Sequence, residues 1–309
     1  MVSGKITAIV THGPVDREAK EKYGIGPVLL RIGNGGAGAT GLLKALAEDF
    51  LAGLTHKASI EWVCNHSRNT QLALLQGYID IALTYERDQE DLAAAEGWST
   101  TVGCAFHDHF CLAGPWSDPA DVRCAASLQD AFLRIAHTGS LFHSRADSSA
   151  TMWKERGIWT DCGLEPWSET ATGQWYRKSL YSPAEALAAA DAADAYLLID
   201  RATLLTQTIQ KTVRNTTVFF EPTSPSDVLM NSCYALTLTS QPAERSRATS
   251  EFLEYLLSDA GQAVVENFGK AETGGFPHFA PAQNGFATSH LKGGLPRDGR
   301  WIIQTPPKL

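Results

Sequence analysis

The chain has 309 residues, 44% apolar and 19% charged, with a formal net charge of −8 and a pI near 5.6. That length suits two domains better than one core, and no apolar run approaches the ~18 residues a membrane span needs. The acidic balance excludes a broad electrostatic footprint for nucleic acid or anionic lipid, so any bound anion must sit in a local pocket.

The N-terminus "MVSGKITAIVTHGPVDREAK" has one lysine and a short apolar run where a secretion signal needs a basic start and an apolar core of about 7 to 15 residues. No signal is read, and a cytoplasmic location is expected. "KITAIVT", "PVLLRIG", "SIEWVC", "YIDIALTY" and "FHDHFCLAG" read as strands, and 40–52, 67–77 and 88–96 as helices. That alternation predicts a parallel sheet covered on both faces.

"GPWSDPADV" at 114–122 marks a crossover between lobes. A second lobe follows, with a helix over 127–137, a polar turn "HSRADSSAT" and a helix from about 149. A Trp-rich loop, a capped helix "SPAEALAAADAA" and a strand "AYLLID" complete it. "CYALTLTS" at 233–240 reads as a strand returning to the first lobe, followed by helices over 243–257 and from Asp259 to Phe268. The Gly- and Pro-rich tail, with "GGFPHFAPAQNGF" and "GGLPRDG", is expected to wrap the surface. The division predicted is lobe 1 from 1–112 and 234–309, with lobe 2, 113–233, inserted. A small-molecule cleft with a two-strand hinge follows from it.

Six cysteines, Cys64, Cys104, Cys111, Cys124, Cys162 and Cys233, lack any C-x-x-C pair and read as buried or free thiols. In "VLLRIGNGGAGATGLL" the run GNGGAG has G-x-G-x-x-G spacing between a strand and a helix. A dinucleotide site also needs an acidic residue ending the next strand, where Asn65 and His66 stand, so no cofactor is expected. The remaining readings are a plain tight turn or a cradle for a small anion built from Asn34, Gly35, Gly36 and neighbouring amides, with Thr40 capping or donating.

"SRADSSATMWKE" at 144–155 places Ser144, Arg145, Ser149 and Thr151 at a helix start, with Asp147 able to cap the helix or orient the arginine. This segment resembles the turn S-R-G-D-x-S-G-T-H-x-x-E of the tungstate-binding solute receptors of ABC importers. "HDHFCLAGP" is similar to that family's Y-N-D-F-V-I-V-G-P at Phe110, Gly114 and Pro115. "YLLIDRATL" is similar to Y-T-L-T-D-R-G-T-Y, and "FLEYLLSDAGQAVVENF" to F-x-x-W-L-x-S-x-x-G-Q-x-x-I-x-x-F. The motifs keep one order from Val28 to Pro281.

The resemblance implies an α/β, two-lobed type II periplasmic-binding-protein-like fold with a ligand cleft between the lobes. It implies an anion gripped by the 33–40 and 144–151 turns. The family's T-T-T-S hydroxyls fall on Gly33, Asn34, Gly35 and Gly36 here, its two glycines in the second turn on Ala146 and Ala150, and its histidine on Met152.

Other candidate contacts are Ser67 and Arg68 in "NHSRNTQ", Trp175 and Tyr176 in the aromatic loop, and Asp200 with Arg201 as an ion pair near the hinge. Each has a bland alternative: a capped helix, core packing, or a structural pair. His107, Asp108 and His109 lie in the hinge strand, with both imidazoles on one face. A zinc site there needs a third ligand that the sequence does not identify, so no metal is expected.

The expected function is binding of a small anion, either an oxyanion such as tungstate or molybdate or a carboxylate-bearing solute. The alternative is an intracellular enzyme on this scaffold, with Arg145 anchoring a carboxylate and His107, Asp108, His109 or Glu155 as acid or base. The surface sequence points to no protein partner.

Overall fold

The computed structural model describes residues 14–282 except 148, 169–173, 225, 241–242, 274 and 276. "KITAIVT" and the tail past 282 lie outside the described residues.

The first body begins with β1 (Glu21–Gly24), β2 (Val28–Asn34), the single turn α1 (Gly36–Ala39) and α2 (Leu42–Ala52). It continues through β3 (Ser59–Cys64), α3 (Ser67–Leu75), β4 (Ile81–Thr84) and α4 (Arg87–Ala95). Strands β3, β2 and β4 pair in parallel; β3, β4 and the C-terminal half of β2 are buried almost throughout, as a sheet covered on both faces requires. The helix predicted from residue 40 begins at Leu42, because Gly41 takes a left-handed φ of 92° that separates α2 from α1.

Strand β5 (Ser99–Pro115) is 17 residues long and ties the molecule together. Phe106 packs with Leu30, Ile32, Trp62 and Phe252 in one core, whereas Phe110 packs with Phe132, Phe142 and Trp159 in another. The strand therefore passes between cores at His107–His109. The segment 114–122, read as a crossover, instead ends β5 and continues along the second body, with Ala120 and Val122 buried in its core and Trp116, Ser117, Pro119 and Asp121 exposed.

The second body comprises α5 (Leu128–Thr138), β6 (Phe142–Ser144), α6 (Ala150–Asp161), β7 (Tyr176–Lys178) and α7 (Pro183–Ala192). It is completed by β8 (Tyr196–Asp200), α8 (Arg201–Ile209) and β9 (Thr216–Phe220). The capping box at Ser182 and Glu185 forms as predicted. Helix α8 and strand β9 had no clear sequence signal.

The return path is β10 (Met230–Leu238), followed by α9 (Ala243–Leu257), α10 (Asp259–Asn267), α11 (Lys270–Thr273) and β11 (Ala280–Pro281). β10 pairs antiparallel with β5, Met230 opposite His109 and Ser232 opposite His107, so two strands cross between the cores side by side. The sheet is thus mixed where the sequence suggested parallel pairing, because β10 runs against both β4 and β5.

The expectation that the tail wraps the surface fails for its described part. Phe279 is buried against Phe106, and Pro281 pairs with Phe106 in the sheet. All six cysteines are free, as expected, but Cys124 is exposed and only Cys111 and Cys233 are fully buried.

Candidate functional site

The glycine turn is shaped first by packing. A Cβ on Gly38 would lie 2.1 Å from the Trp62 indole, whose Nε1 donates to the Asn34 carbonyl at 2.7 Å. The Asn34 side chain is buried and fully engaged, donating to the Leu83 carbonyl at 2.8 Å and accepting from the Gly38 amide at 3.0 Å. It is a strut of the turn, which corrects its assignment as a ligand donor.

Thr40 likewise caps nothing downstream; its hydroxyl donates back to the Ala37 carbonyl at 3.1 Å. Gly35 and Gly36 stay at the surface. Gly35, Gly36 and Ala37 open α1, where the first amides have no acceptor within the helix itself.

Gly35 abuts the loop between β3 and α3, its Cβ position 3.0 Å from the Asn65 carbonyl and 3.9 Å from the His66 Cα. From that loop Ser67 accepts from the Tyr85 amide and Thr70 donates to the Asn65 carbonyl, so both hydroxyls hold the loop in place. Arg68 is 8% exposed; its Nε donates to Glu86 at 2.6 Å, and its guanidinium lies 3.6 Å from the centre of the Trp153 ring. Trp153 belongs to α6, so this contact joins the two bodies.

The second turn converges on one carboxylate. Arg145 Nη2 donates to Asp147 Oδ2, while the Ser149 amide and hydroxyl both donate to Asp147 Oδ1. Arg145 Nε also donates to the Tyr181 carbonyl at 3.2 Å, which fixes the plane of the guanidinium. Ser149 caps α6 by accepting from the Met152 amide. From the first body, His66 Nε2 approaches Asp147 Oδ2 at 4.0 Å. Burial holds the His66 imidazole below its usual pKa and nearby Arg145 adds to this, while Asp147 pulls it back up.

Beneath the turn, Ser144 is buried and its hydroxyl contacts Met152 Sδ at 3.3 Å; Thr151 is buried in the first turn of α6. Glu155 accepts from Tyr176 at 2.6 Å, and burial pushes its carboxyl up to about 8.

The structure thus brings Gly35, Gly36, Arg68, Arg145 and Ser149 to one junction and adds His66, Asp147 and Trp153. His66 was visible at the end of β3, and Asp147 as the orienter of Arg145. Trp153 had no signal beyond its place in α6.

Trp175 and Tyr176 take the bland alternative. They pack on Trp159 and Phe142 in the second core, with Trp175 5.4 Å from Trp159 and Tyr176 stacked 5.9 Å from Phe142. Asp200 and Arg201 do not pair. Asp200 caps α8 through the Thr203 amide, and the buried Arg201 donates to the carbonyls of Pro277 and His278.

His107 contacts Ser232 at 2.7 Å and the Ala282 carbonyl at 3.2 Å. Asp108 accepts from the His109 amide, and His109 faces Glu221 at 3.5 Å. These partners lie in the paired strands, just after β9 and in the tail, none of them in the segment that carries Arg145.

Two α/β bodies joined by adjacent strands and meeting across a polar junction define a two-lobed binding protein of type II periplasmic-binding-protein-like fold. The chain belongs to the PBP superfamily, matching the family model described as "PBP superfamily domain" over residues 18–260. It is 36% identical over 129 residues to a Haloferax volcanii protein named for anion binding in an ABC transporter, spanning 42% of this chain and 36% of that relative. It is 26% identical over 209 residues to the tungstate-binding protein TupA of Peptoclostridium acidaminophilum, spanning 66% of this chain and 69% of TupA.

Among solved structures, a periplasmic protein described as metal-binding superposes with a TM-score of 0.76 at 31% identity, covering 85% of this chain and 99% of its own. The tungstate-binding protein TupA of Desulfovibrio alaskensis G20 gives a TM-score of 0.67 at 22% identity, covering 83% and 99%, and supports the fold alone. The resemblance read from the motifs is borne out at the level of the family.

Proposed function

We propose that the chain binds a small oxyanion of the tungstate or molybdate kind where its two lobes meet. The observation that carries this reading is the donor set around Asp147. Arg145 and two donors of Ser149 hold one carboxylate from the second lobe, and His66 approaches it from the first. A planar guanidinium beside a helix N-terminus is suited to an external anion as well. The amide end of α1, at Gly35 and the exposed Gly36, lies on the His66 side of the same junction.

The names of the Haloferax and Peptoclostridium relatives support an anion as ligand. Because the occupant in this structure is itself a carboxylate, a carboxylate-bearing solute is the second candidate for these donors.

The reading is tested by titrating the protein with tungstate, molybdate, sulfate and simple carboxylates, followed by thermal unfolding. Saturable stabilisation, about 2.7 kcal/mol at a hundredfold excess over Kd, is expected for at least one oxyanion and is lost in Arg145→Ala. Stabilisation that survives in Arg145→Ala overturns the site. Stabilisation by none of the oxyanions overturns the ligand class.

A further inference from the structure

Strand alternation puts His109 and Cys111 on one face of β5. Strand β9 pairs antiparallel with β5, Phe220 opposite Leu112, and its next residue, Glu221, comes to the same place. The ligand atoms of His109, Cys111 and Glu221 all lie within 4.8 Å of one another. All three side chains are buried, at 1%, 0% and 4% exposure. Among the described residues, His109 Nδ1 has no hydrogen-bond partner although the imidazole is almost wholly buried, and its Nε2 meets Glu221 Oε2 only at 3.5 Å. A buried polar ring left in that state is costly unless something further satisfies it.

We propose that His109, Cys111 and Glu221 form a site for one divalent transition-metal ion of the zinc or cobalt kind. One nitrogen, one sulfur and one carboxylate suit borderline-soft ions and exclude calcium and magnesium, which take oxygen ligands. Metal-ligand bonds of about 2.0 to 2.3 Å set tetrahedral ligand-to-ligand edges of roughly 3.3 to 3.7 Å. The His109 to Glu221 separation of 3.5 Å already matches, and small side-chain rotations bring in Cys111.

Three protein ligands leave the fourth position to water or another small ligand. A cavity of about 370 Å³, lined by Phe220, Glu221, Asp227 and Leu229 among others, opens onto the Glu221 side of the cluster.

The charge of the buried Arg201 is felt at both His109 and Cys111 and opposes a bare metal ion. On binding, Cys111 loses its proton to solvent, so that thiolate and Glu221 together neutralise the ion. Arg201 is then left to Asp108, which also interacts with it. The site is separate from the anion junction and requires no anion.

The metal-stripped protein is titrated with Co²⁺ and followed by absorbance. Expected is one bound ion with a thiolate-to-cobalt charge-transfer band in the near ultraviolet, tetrahedral bands in the visible, and displacement by Zn²⁺. Cys111→Ser, close to isosteric, loses the near-ultraviolet band; His109→Gln and Glu221→Gln each weaken Co²⁺ binding at least about tenfold.

Wild-type protein that binds no Co²⁺, or binds it without a thiolate band, overturns the proposal. So does a band that persists in Cys111→Ser. If His109→Gln fails to fold, the wild-type spectrum and Cys111→Ser still decide. Arg145→Ala leaves the cobalt spectrum unchanged, which separates this site from the proposed anion site.

Discussion

Arg145 and Asp147 are bound to each other: the guanidinium Nη2 donates to Asp147 Oδ2, and the two side chains are only 7% and 12% exposed. An incoming anion must therefore compete with a carboxylate that the chain itself supplies. Asp147→Asn retains a carbonyl oxygen for Ser149 to donate to but removes the competing charge from Arg145. Oxyanion affinity is expected to rise by about five- to tenfold, roughly 1 to 1.4 kcal/mol. Calorimetric titration measures it, and weaker binding by the variant would show that Asp147 helps hold the ligand rather than displacing it.

The lobes are joined by Arg68, stacked 3.6 Å from the centre of Trp153 and ion-paired with Glu86. A desolvated guanidinium over an indole is worth up to about 2 kcal/mol. Trp153→Leu removes that contact together with the looser one to Arg156, 5.5 Å from the same ring, and leaves the Arg68–Glu86 pair in place. The ligand-free variant is expected to open, with a larger radius of gyration in solution scattering. Arg68→Ala also strands the buried Glu86 carboxylate, so it should lose roughly 3 to 5 kcal/mol of stability. Equal effects of the two substitutions in chemical denaturation would contradict this division of roles.

Much of this fold is legible from local pattern. The strand and helix run from Val28 to Leu112, the cap at Ser182 and the return strand after Met230 all follow from periodicity and turn chemistry. The residues of the proposed site were less legible, because glycine has more than one reason to occur in a turn. Gly38 is set by the Trp62 indole from a different strand, and Asn34 is used up inside the turn. Trp175 and Tyr176 are amphipathic residues whose direction depends on Trp159 and Phe142, not on their own neighbours in sequence. The cluster of His109, Cys111 and Glu221 joins two strands more than a hundred residues apart, and the pairing of β9 with β5 alone reveals it.

Ala146 has a left-handed φ of 49°, at the position where the resembling receptors carry glycine. An alanine Cβ there costs about 1 to 2 kcal/mol, partly offset by the greater freedom glycine has when unfolded. Ala146→Gly is accordingly expected to stabilise the protein by about 0.5 to 1 kcal/mol. Thermal unfolding decides, and a lower midpoint would mean that the turn between Arg145 and Asp147 depends on the stiffness of alanine.

Glu155 lies beneath the 144–151 turn, fully buried, accepting a hydrogen bond from Tyr176, and its pKa is raised from 4.5 to about 8, chiefly by burial. The folded chain therefore keeps the Glu155 proton through a range where the unfolded chain has released it. Its contribution to stability is complete at low pH and is lost as pH rises from about 4.5 through about 8, by up to ~1.4 kcal/mol per unit. Glu90, raised to about 7 by burial, gives a slope of the same sign, so the wild type alone does not isolate either group. Glu155→Gln does, because it stays neutral and still offers an oxygen to Tyr176. Urea unfolding between pH 5 and 8 should show the variant gaining on the wild type with each unit of pH. Parallel curves would mean that Glu155 is ionised in the folded protein, its charge balanced by Ser144, Tyr176 and the nearby Arg156.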